Sequence, residues 1–318
     1  MSGFYVRDKY LWDRSRNGKW AGLESLIPGK VHYVAPTGAY ASGFSVASAR
    51  TWARENNQFV YDSINLAYAD AVDGRGDVIA LLPGTHTLTA NLAWSKAGIS
   101  LMGPEAWAGV PGKQRPMAKI VPASGSTGLT ITAADTTLYG VECVPITAQT
   151  FASFSAAAVN LRVINCYLDM ETPVVSSSTQ GFVGTGAAKN VHVSGCTFYA
   201  DGAQGFALGM VGVDPFLIED CVFTVTAGTW ATAIKTGAGS LGHVRRNYFG
   251  GSGTAITGVV STGAAEATNA IRLNDNRVGV GHTLASGYGV SNGKCVLGLN
   301  YIETASGGTG GTLVTVTT

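Results

Sequence analysis

The stretch Leu161 to Met170 reads LRVINCYLDM, and it returns as VHVSGCTFYA at Val191 to Ala200 and as FLIEDCVFTV at Phe216 to Val225. Looser copies follow as GHVRRNYFGG from Gly242, IRLNDNRVGV from Ile271 and CVLGLNYIET from Cys295, and an earlier one stands as LYGVECVPIT from Leu138. One position serves as anchor in all seven: Cys143, Cys166, Cys196, Cys221, Asn247, Asn276 and Asn300, separated by 23, 30, 25, 26, 29 and 24 residues. That spacing falls in the range of solenoid repeats.

Within the copies the residues five and three before the anchor and two after it tend to be apolar, as in Leu161, Val163 and Leu168. This is strand alternation interrupted by a turn at the anchor. Between copies lie runs of Gly, Ser, Thr and Ala with no amphipathic helix, so the repeat is all-strand. Parallel strands cannot be joined by hairpins. A short all-strand repeat therefore predicts a coil of several strands that stacks on its successor, the parallel β-helix, with equivalent residues about 4.8 Å apart. The anchors then form a ladder of cysteines followed by asparagines. Asn side chains can hydrogen-bond along such a column, and Asn tolerates left-handed backbone in a tight turn.

The chain has 318 residues, of which 13% are charged and 43 are glycine, with a net charge of +1. Near-neutrality excludes a general nucleic-acid binder, which needs a basic face. Of the five cysteines, four are so regularly placed that they read as an inward stack of free thiols, with vertical disulfides between coils as the alternative. No run of 18 apolar residues exists, so no membrane insertion is expected, and the first residues do not form a signal peptide.

Residues 1–30 differ from the rest, with a net excess of three positive charges interleaved with aromatics. Phe4, Tyr5, Arg7, Tyr10, Trp12, Arg14, Arg16 and Trp20 are residue types favoured at buried interfaces. They read either as an arm docking on a partner assembly or as a segment folded over the first coil. Residues 31–88 form a cap: a strand at Val31 to Val34, a helix in Phe59 to Val72 with Ile64, Ala67, Tyr68, Ala71 and Val72 on one face, and the first coil. The body spans 89–304, with Pro104 to Met117 as a projecting insertion. Residues 305–318 are a glycine hinge and a strand that pairs with a neighbouring chain or caps the last coil. About 26 residues per coil from Val78 gives about nine coils and a rod of about 40 Å.

The sequence DSINLAYADAV, then Gly76-Asp77, Val78 to Leu82 and Pro83-Gly84-Thr85 resembles the start of the pectate-lyase-like right-handed β-helix superfamily. Polysaccharide-degrading enzymes and phage tailspikes and virion appendages share that fold. The motif match covers Phe59 to Leu88. The resemblance implies an all-β, right-handed solenoid, and for an appendage a homotrimer.

Glycoside hydrolysis needs two carboxylates about 5 Å apart, or about 6.5 to 9.5 Å for inversion. Glu171 and Asp201 each lie five residues after an anchor on consecutive coils, and Asp169 could join them; the competing reading is exposed turn residues. The superfamily's polygalacturonase-like motifs are missing. Arg245 and Arg246 lack a neighbouring acid cluster in sequence, which argues against calcium. His32, His86, His192, His243 and His282 show no metal-ligand spacing, GRGD at Gly74 to Asp77 falls at the superfamily turn, and no cofactor is implied. The leading expectation is a structural virion protein of a phage, a head decoration, fibre or tail appendage, located in the particle and joined to other virion proteins through residues 1–30. The alternatives are a tailspike-like depolymerase using Glu171 and Asp201, and a module that binds host polysaccharide through exposed Tyr199, Trp230 and Tyr248.

Overall fold

The computed structural model describes residues 29–38, 59–104, most of 118–279, 295–302 and 312–314, with isolated helical positions between 47 and 55. Short strands build three long sheets of eleven, ten and seven strands. All their pairings are parallel except the last, where Thr312–Val314 runs antiparallel to Asn300–Ile302. Each strand pairs with its counterpart one coil away, so Val163 faces Val193, Val193 faces Ile218, Ile218 faces Val244 and Val244 faces Leu273. This is a parallel β-helix. Seven coils contribute to all three sheets, beginning with Val78–Leu81, Gly84–Thr87 and Leu92–Trp94 and ending with Gly242–Arg245, Tyr248–Gly250 and Val260–Ser261. Two further coils, from Ile271 and Cys295, show only the first two sides among the described residues, so the full turns number about seven where the spacing suggested nine.

The apolar pattern of the repeat maps directly onto this geometry. Residues five and three before the anchor point inward from the first sheet, and the residue two after it points inward from the second. Phe198, Phe223 and Phe249 form such a column, with ring centroids 4.6 Å apart and planes within 13°. The sheet spacing holds the rings near stacking distance. Each fully buried ring of this kind contributes roughly 1.5 to 3 kcal/mol by burial.

The turn between the first and second sheets explains the anchor. The residue just before it takes left-handed φ in five coils, Asn165 at 51°, Gly195 at 63°, and Asp220, Arg246 and Asp275 at 54°, and Gly140 at 60° does the same before Val141. Left-handed backbone thus falls one position earlier than expected, and the anchor is free to turn its side chain inward.

The predicted helix forms over Ile64–Asp70, shorter than its apolar pattern, with Ser63 accepting from the Leu66 N–H at 3.2 Å. Ile64, Ala67, Tyr68 and Ala71 are buried while Val72 is 46% exposed. Lys96, one coil on, donates its ammonium to the carbonyls of Tyr68, Ala69 and Ala71 at 2.8, 2.8 and 2.7 Å. A cation there satisfies the open carbonyls of the helix end. The second fastening is Asp77, which is fully buried. It accepts from the N–H groups of Lys30 and Val72 at 2.8 Å and from the Arg75 guanidinium at 2.6 Å, twice. The Arg-Gly-Asp string is therefore a structural clasp whose carboxylate is turned inside. Gly84 of the Pro-Gly turn has φ 141°, and a Cβ there would lie 2.3 Å from Pro36.

Candidate functional site

The ladder divides into two chemistries along one column. Register places Cys166, Cys196, Cys221, Asn247, Asn276 and Asn300 one above another. Cys143 stands two residues further along: it pairs with Leu168, and the position below Cys166 belongs to Val141. Both positions carry inward apolar side chains at the same corner, so repeat spacing could not distinguish them. Asn247, Asn276 and Asn300 donate to the carbonyls of Ile218, Val244 and Leu273 at 3.1, 2.9 and 2.8 Å. The thiols of Cys196 and Cys221 point at the equivalent carbonyls of Val163 and Val193, at 3.4 and 3.8 Å. A thiol thus replaces an amide as donor to the same acceptor, more weakly. Cys143, Cys166, Cys196 and Cys221 are free and buried. Burial, followed by hydrogen bonding to Cys166, holds the Cys143 and Cys196 thiols well above the ordinary range, which makes them poor nucleophiles. The column is structural.

The chemistry available to a ligand lies on the outer face of the first sheet. There Glu219 is a hub. Its carboxylate meets His192 Nε2 at 3.0 Å, Arg245 Nε at 2.9 Å and Arg246 Nη2 at 2.6 Å. Arg246 also grips Asp220 through Nε and Nη2 at 2.8 and 2.9 Å. Burial alone would raise the Glu219 pKa, but the hydrogen bonds from Arg245 and His192 outweigh it and hold the carboxyl below its usual value. The Arg246 bond and the charge of Arg246 lower Asp220 likewise. Acids therefore do accompany Arg245 and Arg246, from the coil before, as ion-pair partners. Among the described residues no group of three or more His, Cys, Asp or Glu could hold a metal ion.

His192 and His243 share one outward column, with Leu217 between them and Arg272 following. Both are half-buried there, whereas His32 and His86 are fully buried.

The second sheet's outer face carries the sequence-predicted acid Asp169, 5% exposed, and, on the preceding coil opposite Tyr167, a fully buried Glu142 that meets Lys119 at 3.3 Å. Asp201 is half-buried just after that sheet. Glu171 lies outside the described residues, as do Phe4, Tyr5, Arg7, Tyr10, Trp12, Arg14, Arg16, Trp20 and His282. Of the aromatics expected to be exposed, Trp230 is fully buried and Tyr199 is 9% exposed, its hydroxyl accepting from Thr226 at 3.0 Å. Only Tyr248 keeps partial exposure. Trp230 fills the core beside Phe223 at 6.4 Å, a placement that local sequence could not reveal because its strand is two residues long.

The protein is thus an all-β solenoid, a parallel β-helix of about seven full turns. No family model and no curated relative matches its sequence. Among solved structures it is similar to a pectin methylesterase variant in complex with a hexasaccharide, at 10% identity and TM-score 0.50, over 88% of this chain and 90% of that one. It also matches the pectin methylesterase of Aspergillus niger in deglycosylated form, at 14% identity and TM-score 0.48, over 87% and 89%. A pectate lyase matches at 16% identity and TM-score 0.43, over 81% and 78%. At such identity the likeness is one of fold.

Proposed function

We propose that this chain is a structural and adhesive subunit of a phage particle, a stiff β-helix mounted through residues 1–30 with its first-sheet face turned toward carbohydrate. The observation that carries the reading is the state of Glu219. The central carboxylate of this outward cluster is bound by two arginines and a histidine. A carboxylate so held neither gives nor takes a proton readily near neutral pH. It fixes a cationic surface and does not act as an acid or base. The basic, aromatic composition of residues 1–30 supports the mounting role. Homotrimer assembly follows from the same reading. The test is incorporation: particles assembled with a chain lacking residues 1–30 should be devoid of the protein, and normal incorporation of that truncation overturns the mounting role.

A second reading, a polysaccharide depolymerase, is favoured by two carboxylates, Glu142 and Asp169, that lie buried on one outer face. Buried acids are candidates for catalysis. Release of reducing ends from a host polysaccharide, lost in Asp169→Asn with the fold intact, would establish that reading in place of the first.

A further inference from the structure

Beyond the Glu219 hub, the first-sheet face passes from paired to unpaired charge. His243 and Arg272 are register partners on consecutive coils, and Arg245 follows His243 by two residues on the same face. Among the described residues neither His243 nor Arg272 has a hydrogen-bond or ion-pair partner. His243, Arg245 and Arg272 border an open depression of about 420 Å³ whose apolar wall includes Phe216, Leu217 and Leu241. Leu241 is 47% exposed. Gly242 stands where the neighbouring coils carry Val191, Phe216 and Ile271, so this coil supplies no side chain at that position.

The groups facing His243 are Arg245 on its own strand, Leu217 and Glu219 on the preceding one, and Arg272 and Asn274 on the next. The Glu219 carboxylate is committed to His192, Arg245 and Arg246. Burial, then the positive charges of Arg272 and Arg245, keep the His243 imidazole below its ordinary pKa. An anion seated among the three would cancel that repulsion and let the imidazole charge. By linkage, a ligand that raises a group's proton affinity binds more tightly as the pH falls.

We propose that His243, Arg245 and Arg272 form a proton-coupled oxyanion site, which receives the acidic group of a sugar and gains a proton on His243 as it fills. The apolar wall of Leu217 and Leu241 takes the face of the sugar ring. This rests on the reading that the first-sheet face meets carbohydrate, and it is independent of how the rod is mounted.

The probes are sulfate, whose charge is constant across the range, and methyl glucuronide. Titration of the His243 imidazole by NMR should show its pKa rising when either is added. Calorimetry should show methyl glucuronide binding about tenfold more tightly at pH 5.5 than at 7.5. His243→Gln should abolish that pH dependence, and Arg272→Gln should weaken binding about tenfold at both pH values. An unmoved His243 titration, equal affinity at both pH values, or binding unchanged in Arg272→Gln would overturn the site. Sulfate binding tighter than methyl glucuronide would overturn the assignment to a sugar acid. Loss or retention of particle incorporation on deleting residues 1–30 changes none of these readouts, so the two ideas fail separately.

Discussion

The backbone N–H of Cys221 donates to Oδ1 of Asn247 at 2.9 Å, joining the thiol half of the inner column to its amide half. From there the amides continue it: Asn247 Nδ2 to Asn276 Oδ1 and Asn276 Nδ2 to Asn300 Oδ1, both at 3.0 Å. Each asparagine serves as acceptor toward the coil before and as donor to a carbonyl of that coil, so one side chain satisfies several buried backbone groups at each turn.

The Asn276 side chain bonds to the coils on both sides. Asn276→Ala should cost about 3 kcal/mol, because it strands the Val244 carbonyl and the Asn247 N–H in a buried site. Asn276→Cys should recover part of that loss, since a thiol already meets the equivalent carbonyl elsewhere in the column. Urea denaturation midpoints at matched slopes would measure both, and equal losses for the two variants would count against donor equivalence.

Phe223 is sandwiched between Phe198 and Phe249. Phe223→Ala leaves a cavity between two rings that neighbouring sheets hold apart, and a loss of about 3 to 5 kcal/mol is expected. Phe223→Leu should cost markedly less. Thermal or denaturant unfolding of the pair decides the matter.

His86 points into the core, its Nε2 2.8 Å from the Leu82 carbonyl, and burial pushes its pKa down to about 4. The sign follows from linkage. The unfolded chain binds this proton near 6.5 and the folded chain only near 4, so stability is full above 6.5 and declines as the pH falls between those values. A difference of that size is worth about 3 kcal/mol. Replacement by Met should flatten this part of the stability curve, measured as denaturation midpoint against pH from 7 to 4. An unchanged slope in His86→Met would assign the acid sensitivity to other groups.

Asp77 should behave as a clasp. Burial would raise its pKa, but Arg75, two backbone N–H groups and His32 together hold it far below the usual carboxylate value. Asp77→Asn removes the charge and leaves Arg75 without its counter-ion, so a loss of about 3 kcal/mol is expected. Hydrogen exchange should show the loss first as faster opening of the helix Ile64–Asp70 and the strand Val31–Val34. Uniform opening of the whole stack would contradict a local clasp.

On the outer face, Glu219→Gln deletes the acid that neutralises Arg245 and leaves Arg246 to Asp220 alone. Retention on an acidic polysaccharide matrix should therefore rise, while Arg245→Gln lowers it, both effects shrinking with added salt. Identical elution of the three proteins would remove the first-sheet face from consideration as a glycan surface.

Sequence alone determined the rungs. Inward residues must be apolar and must repeat at the coil length, so LRVINCYLDM and its copies disclose strand, corner and strand wherever they occur. Turn chemistry was legible only to within a residue: the sequence suggested left-handed backbone at the anchor, whereas Gly140, Asn165, Gly195, Asp220 and Asp275 carry it just before the inward corner residue. Arg246 is the exception, and its reason is tertiary, since Asp220 one coil earlier holds its side chain. What tertiary structure decided is everything that depends on exact register across loops of unequal length. His192 and Arg245 lie 27 and 26 residues from Glu219 in sequence, and only stacking brings their side chains within hydrogen-bonding distance of its carboxylate. The same stacking placed Val141 beneath Cys166 where spacing had suggested Cys143, and it enclosed Trp230. The outward face carries no demand for apolarity, so it leaves no periodic mark in the chain.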